Sequence, residues 1–316
     1  MNITVPKSNR LTRLGLAFTV LLIVVNLTQY AIHFAIEAFA PELLSHPLYI
    51  ALLSVIPLYA LGLPICILIL PKPDQKSGSG VKLSFLELSF AAIICFGLAL
   101  IGNLVGNTAM VAISAIKGEL IANPLQSVVL DSNILITFVL TVIIAPIGEE
   151  FIFRRLIIDR TTQYGELPAI LLSAAMFAAF HLNLYQFFYA FLLGAVFGYI
   201  YVKTGRLRYT VMLHALINFC GGVFVAAALD ATMSLTAEGA ATSTLPTVIS
   251  SIGLSLLLQY VGFLVSAALA TIILACVFLR KLKFVPGENS LNIPRSPFVI
   301  VFFVLCLTIT VVDMIM

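Results

Sequence analysis

The sequence predicts an all-α polytopic membrane protein, a bundle of about nine transmembrane helices with a range of eight to ten. Three observations predict it. The chain of 316 residues is 61% hydrophobic and only 10% charged, whereas a soluble domain is roughly 45–50% apolar and 25% charged. Its mean hydropathy is +1.12. Its apolar residues are gathered in runs close to the roughly 20 residues that a helix needs to cross a bilayer core.

The spans read from hydropathy are 14–37, 48–70, 84–115, 133–157, 167–182, 184–202, 209–229, 248–279 and 297–316. The first follows Lys7, Arg10 and Arg13 and resembles a signal peptide, but its apolar run from Leu14 to Ile36 exceeds the roughly 7–15 residues of a signal core. Pro41 after Ala38-Phe39-Ala40 disfavours cleavage, so a retained helix is expected. His33, near Asn26, Gln29 and Tyr30, reads as a helix–helix hydrogen-bonding residue. In the third span Asn103 and Asn107 share a face, where they line a polar cavity or bond a neighbouring helix, and Gly102/Gly106 form a small-xxx-small pair. Gly194/Gly198 repeat that pattern in the sixth span, and simple packing accounts for both pairs. The connections 71–82, 117–132, 230–246 and 281–297 are too short for a soluble domain.

Charge supports this count. With a cytoplasmic N-terminus, the cytoplasmic side holds Lys72, Lys76, Lys82, Arg154, Arg155, Arg160, Lys203, Arg206, Arg208, Arg280, Lys281, Lys283 and Arg295, and the other side only Lys117. The expected location is an integral multi-pass membrane protein of the plasma (cytoplasmic) membrane. The net charge of +3 is small and scattered in short clusters, so no nucleic-acid partner is expected. Five cysteines without a CxxC pair argue against a disulfide framework. The chain divides into N-terminal membrane helices (1–132, three spans), a core carrying the motifs below (133–229) and C-terminal helices (230–316, two spans).

The chemistry is concentrated in that core. The stretch Ala145-Pro-Ile-Gly-Glu-Glu-Phe-Ile-Phe-Arg-Arg-Leu156 puts four charges at the end of an apolar run, where each costs about 2.5–3.5 kcal/mol on insertion scales. Such residues need a partner or a task. Glu150 and Arg154 are four apart, with the acid first, and so share a helix face. Glu149 points about 100° away, where the local sequence supplies no such cation. It is therefore the carboxylate suited to act as a base. Downstream, His181 ends Phe177-Ala-Ala-Phe-His181, and His214 and Asn218 stand four apart on one face. An imidazole with an amide one turn away suits an oxyanion. A lone membrane histidine or a lone Glu–Arg pair is more often structural. It is the order EExxxR, FxxxH, HxxxN on three spans that changes the weighing.

These motifs resemble those of the CAAX-type prenyl endopeptidases and their bacteriocin-processing and immunity relatives (CPBP, Abi), a family of intramembrane proteases. The resemblance covers about residues 133–229. It implies an intramembrane endopeptidase in which Glu149, helped by His181, activates a water. His214 and Asn218 would stabilise the tetrahedral oxyanion, with Glu150 and Arg154 in support. The implied partner is a membrane-associated protein or peptide substrate in the lipid bilayer. The family carries both metal-dependent and glutamate-dependent descriptions. There is no HExxH and the histidines lie on different helices, so no tightly bound metal is expected. Were the enzyme zinc-dependent, Glu149, His181 and His214 would be its ligands. Two other readings stand beside this one: a transporter or proton relay using the same charges, and a non-catalytic immunity or scaffold member. One difficulty is depth. His181 falls late in a short span, far from Glu149 by simple counting, unless the fourth helix continues past Arg155 or the fifth starts deep in the membrane.

Overall fold

The computed structural model describes residues 7–46, 48–73, 78, 80–123, 133–229, 244–278, 282–288 and 295–315. Nine helices occur among them: α1 Lys7–Phe39, α2 (48–69), α3 Phe85–Lys117, α4 Ile134–Tyr164, α5 Glu166–Phe180, α6 Leu184–Thr204, α7 Leu207–Leu229, α8 Thr244–Phe278 and α9 Pro297–Ile315. Eight are long and apolar enough to cross a membrane. The ninth, α5, has 15 residues, short of the roughly 20 of a full crossing. The all-helical reading therefore holds. Most of the 230–246 connection, and Lys76, Arg280 and Lys281, lie outside the described residues.

The chain forms two compact units. The first comprises Met1–Lys82, Gly148–Thr210 and Lys283–Met316, and the second Leu83–Ile147 and Val211–Leu282. In the first, α1 packs against α2 and α9, and α5 packs against α6 and the C-terminal half of α4. Lipid tails are as apolar as leucine, so the hydrophobic effect gives little attraction between helices, and close packing and polar contacts must hold them. A line of aromatic rings does the packing: Phe302 lies 6.4 Å from Phe18, Phe18 lies 5.9 Å from Phe153, and Phe153 lies 5.3 Å from Phe177. Gly194 lies against Ala174, where an added Cβ would come 3.1 Å from the Ala174 Cα. His33 Nδ1 meets the Tyr49 hydroxyl of α2 at 2.7 Å, the interhelical bond expected of it.

Basic groups close one end of this unit. Arg13 donates to the Ile69 carbonyl and Arg160 to the Pro71 carbonyl, at the C-terminus of α2, where cations satisfy orphan carbonyls and the helix dipole. Lys203 at the end of α6 pairs with Glu166 at the start of α5. In the second unit α3 packs against α8, and α7 against the first half of α4. A capping box of Ser84 and Glu87 starts α3. Asn103 and Asn107 bond to each other on α3, with Asn103 exposed.

Two sequence expectations change. The fourth helix does not end near residue 157 but runs to Tyr164. Arg154, counted with the loop charges, lies inside it and is fully buried. Hydropathy read the charges as an exit from the membrane. Yet each is answered within the protein: Glu150 and Arg154 pair, Tyr201 donates to Asp159, and Arg160 caps α2. A helix whose polar side chains are satisfied internally has no need to leave. Gly165 then reverses the chain at φ +114°, a backbone region that glycine enters without strain, and α5 begins at Glu166.

Candidate active site

Glu150 and Arg154 form the best-determined part. Arg154 Nε donates to Glu150 Oε2 at 3.0 Å and Nη2 to Oε1 at 3.2 Å, a two-pronged bridge with both side chains fully buried. Nη1 donates to Ser173 Oγ on α5 at 3.0 Å, and that hydroxyl donates to the Phe153 carbonyl at 2.7 Å. The guanidinium also lies over the Phe177 ring, 4.6 Å from its centre. A buried ion pair recovers its desolvation only when its remaining donors and acceptors are satisfied, and here other groups share in that. This pair fastens α4 to α5. Ser173 was not foreseen, although Ser173, Phe177 and His181 stand at four-residue spacing on one helix face.

Local backbone geometry fixes the His181 ring. The last turn of α5 tightens, so that the His181 amide bonds Ala178 and the Leu182 amide bonds Ala179. The Phe177 carbonyl is thereby released from the regular α pattern, and His181 Nδ1 meets it at 2.8 Å. A carbonyl can only accept, so Nδ1 carries the proton, and in the neutral ring Nε2 carries the lone pair. Leu182 follows at φ +51°, the one non-glycine residue with positive φ among those described. Asn183 then caps α6 by accepting from the Tyr185 amide at 3.0 Å. This tight corner sets where the imidazole stands.

The register of α4 and α5 resolves the depth difficulty. Both helices are measured from the turn at Gly165, and Glu149 lies 16 residues before it and His181 16 after it. At about 1.5 Å per residue, each is about 24 Å from the turn, less the slight compression of the π-helical stretch. Side-chain contacts carry the same register: Phe153, one turn after Glu149, touches Phe177, one turn before His181. The two residues therefore reach the same level in the first unit because α4 continues past Arg155. Glu149 is half-buried, and the hydroxyls of Tyr59 and Tyr189 lie within its electrostatic reach.

His214 and Asn218 belong to the second unit. His214 is 5% exposed. Asn218 Nδ2 donates to the Thr141 carbonyl of α4 at 2.8 Å. That carbonyl is available for a reason. Phe138–Ile144 is π-helical, and the Ala145 amide bonds Leu140. The next residue due to bond Thr141 is Pro146, which has no N–H. Asn218 takes the vacated acceptor and keeps a second N–H. Within each unit, among the described residues, no group of three His, Cys, Asp or Glu is gathered to hold a metal ion. The candidate zinc set of Glu149, His181 and His214 is divided between the units.

Residues 131–220 match the family model described as Type II CAAX prenyl endopeptidase Rce1-like. Over this segment the chain is similar to the CAAX-type endopeptidases. The segment contains all six motif residues, from Glu149 to Asn218, and bears out the resemblance carried by their order. The matched segment covers α4 to most of α7, while α1 to α3, α8 and α9 lie outside it. No curated protein and no solved structure matches the chain significantly.

Proposed function

We propose that the protein is an intramembrane endopeptidase of the CAAX type that hydrolyses a peptide bond in a membrane-associated substrate with a water activated by Glu149. The observation that carries this is the shared level of Glu149 and His181, with the imidazole turned so that Nε2 is its acceptor. The Glu149 carboxylate takes a proton from water as the water oxygen bonds to the scissile carbonyl carbon. His181 Nε2 accepts the second hydrogen bond of that water. The family resemblance assigns the oxyanion to His214 and the remaining N–H of Asn218. The proton on Glu149 then passes to the leaving nitrogen as the C–N bond breaks, giving a carboxylic acid and an amine and restoring the Glu149 carboxylate. Glu150, Arg154 and Ser173 keep α4 and α5 in register.

A zinc-dependent version would draw on Glu149, His181 and His214, with His181 Nε2 chemically fit as a donor because Nδ1 is tied to a carbonyl. Zinc would supply a more acidic bound water. Activity that persists after chelation removes that version.

The basic residues gathered at one end of the first unit, at the start of α1 and the ends of α2, α4 and α6, support a cytoplasmic N-terminus in the plasma membrane. The test is a comparison of membrane-peptide termini in cells carrying the wild type and Glu149→Gln. Substrate termini that vanish in the variant, with its expression and melting unchanged, support the protease. An unchanged terminome with a retained phenotype supports the scaffold reading, and loss of a proton flux supports the relay.

A further inference from the structure

We propose that Tyr59, on α2 and outside the matched segment, is a positioning residue whose hydroxyl holds the water that Glu149 activates. The inference rests on Glu149 as the base. Its starting point is Gly148. A Cβ built there would overlap the Tyr59 ring at Cε1, Cζ and the hydroxyl oxygen. The tip of Tyr59 thus occupies the space that a side chain at 148 would take, on the backbone of the residue before Glu149. Glycine is required at 148 for that approach.

The chain delivers Tyr59 there by a specific device. Pro57 lacks the N–H that would bond the Leu53 carbonyl, and Gln29 of α1 donates to that carbonyl at 3.1 Å. From Ile56 to Gly62 the helix is π-wound, with the Leu63 amide bonding Leu58. This winding rotates the following side chains relative to a regular helix. Two tyrosine hydroxyls lie within electrostatic reach of Glu149. That of Tyr189 is engaged by Gln186, whereas that of Tyr59 has no hydrogen-bond partner among the described residues. A hydroxyl beside a half-buried carboxylate is placed to share a water with it.

The test uses the full-length protein in lipid nanodiscs, as wild type, Tyr59→Phe and Glu149→Gln. Tyr59→Phe keeps the ring against Gly148 and removes only the oxygen. The first readout is the infrared carboxylate band of ¹³C-labelled glutamate, assigned to Glu149 by its loss in Glu149→Gln. The second is cleavage of an internally quenched, farnesylated CAAX peptide. We expect a displaced Glu149 band, unchanged melting, and kcat reduced about 10- to 100-fold at constant KM, the scale of one hydrogen bond in a charged site. An undisplaced band overturns the proposal whatever the cleavage result, as does a displaced band with undiminished kcat. If the wild type does not cleave the probe, that result counts against a prenyl-peptide substrate, and the band alone decides Tyr59. Lowered melting in Tyr59→Phe with an undisplaced band assigns Tyr59 a packing role instead.

Discussion

Glu149 and Glu150 are neighbours in the chain and opposites in setting. Glu150 is sealed between α4 and α5, bridged twice by Arg154, with Ser173 completing the network. Glu149 is half-buried, lies level with His181, and has two tyrosine hydroxyls within its field. One helix thus carries a fully buried acid and a half-buried one, a single residue apart. The difference teaches that intramembrane charge is not by itself a sign of catalysis. Where the partners saturate a carboxylate, it holds helices.

The comparison is most directly broken by exchanging the two acids for their amides. Glu149→Gln is expected to lower cleavage of the probe peptide by about 10²- to 10⁴-fold, the contribution of a general base, with little change in melting. Melting reduced as far as in Glu150→Gln would make Glu149 a second structural acid. Glu150→Gln leaves the Arg154 charge uncompensated and should cost about 3–5 kcal/mol, read as a lower thermal midpoint in detergent. A companion variant, Glu150→Leu with Arg154→Met, should recover most of that stability, because an apolar pair of similar volume avoids the desolvation of both charges. Failure to recover would mean that the bridge carries more than packing. Ser173→Ala removes one link to Arg154 and one to the Phe153 carbonyl, for about 1–3 kcal/mol, and should shift melting without changing the pH profile of cleavage. The smallest effect concerns the corner that follows His181. Leu182→Gly relieves a positive φ worth about 1 kcal/mol, so the loss of the Leu182 side chain should be largely offset. A large fall in melting would show that Leu182 is held by packing rather than strained.

Much of the candidate site was legible because it is written in short-range spacing. The Glu150–Arg154 bridge follows from four-residue periodicity, and His214 and Asn218 share a face for the same reason. Ser173 and Tyr59 were not legible. One acts across to a neighbouring helix and the other from a helix more than 80 residues upstream of Glu149, and no local pattern announces either. The length of α4 was misread because hydropathy counts charges singly. Pairing cancels their cost only when the partner is known, and two of the partners, Tyr201 and the Pro71 carbonyl, lie far along the chain.

By itself the sequence determined the class of the protein, the number and order of its apolar helices, and the pairing of Glu150 with Arg154. These depend on composition and on neighbours within one helical turn, quantities that the chain carries locally. Tertiary structure alone decided the register of α4 against α5, which brings Glu149 level with His181, and the capture of proline-freed carbonyls by Gln29 and Asn218. Those depend on which helix lies beside which. A periodic pattern can say which face of a helix is polar, but only the packed neighbours determine what that face meets.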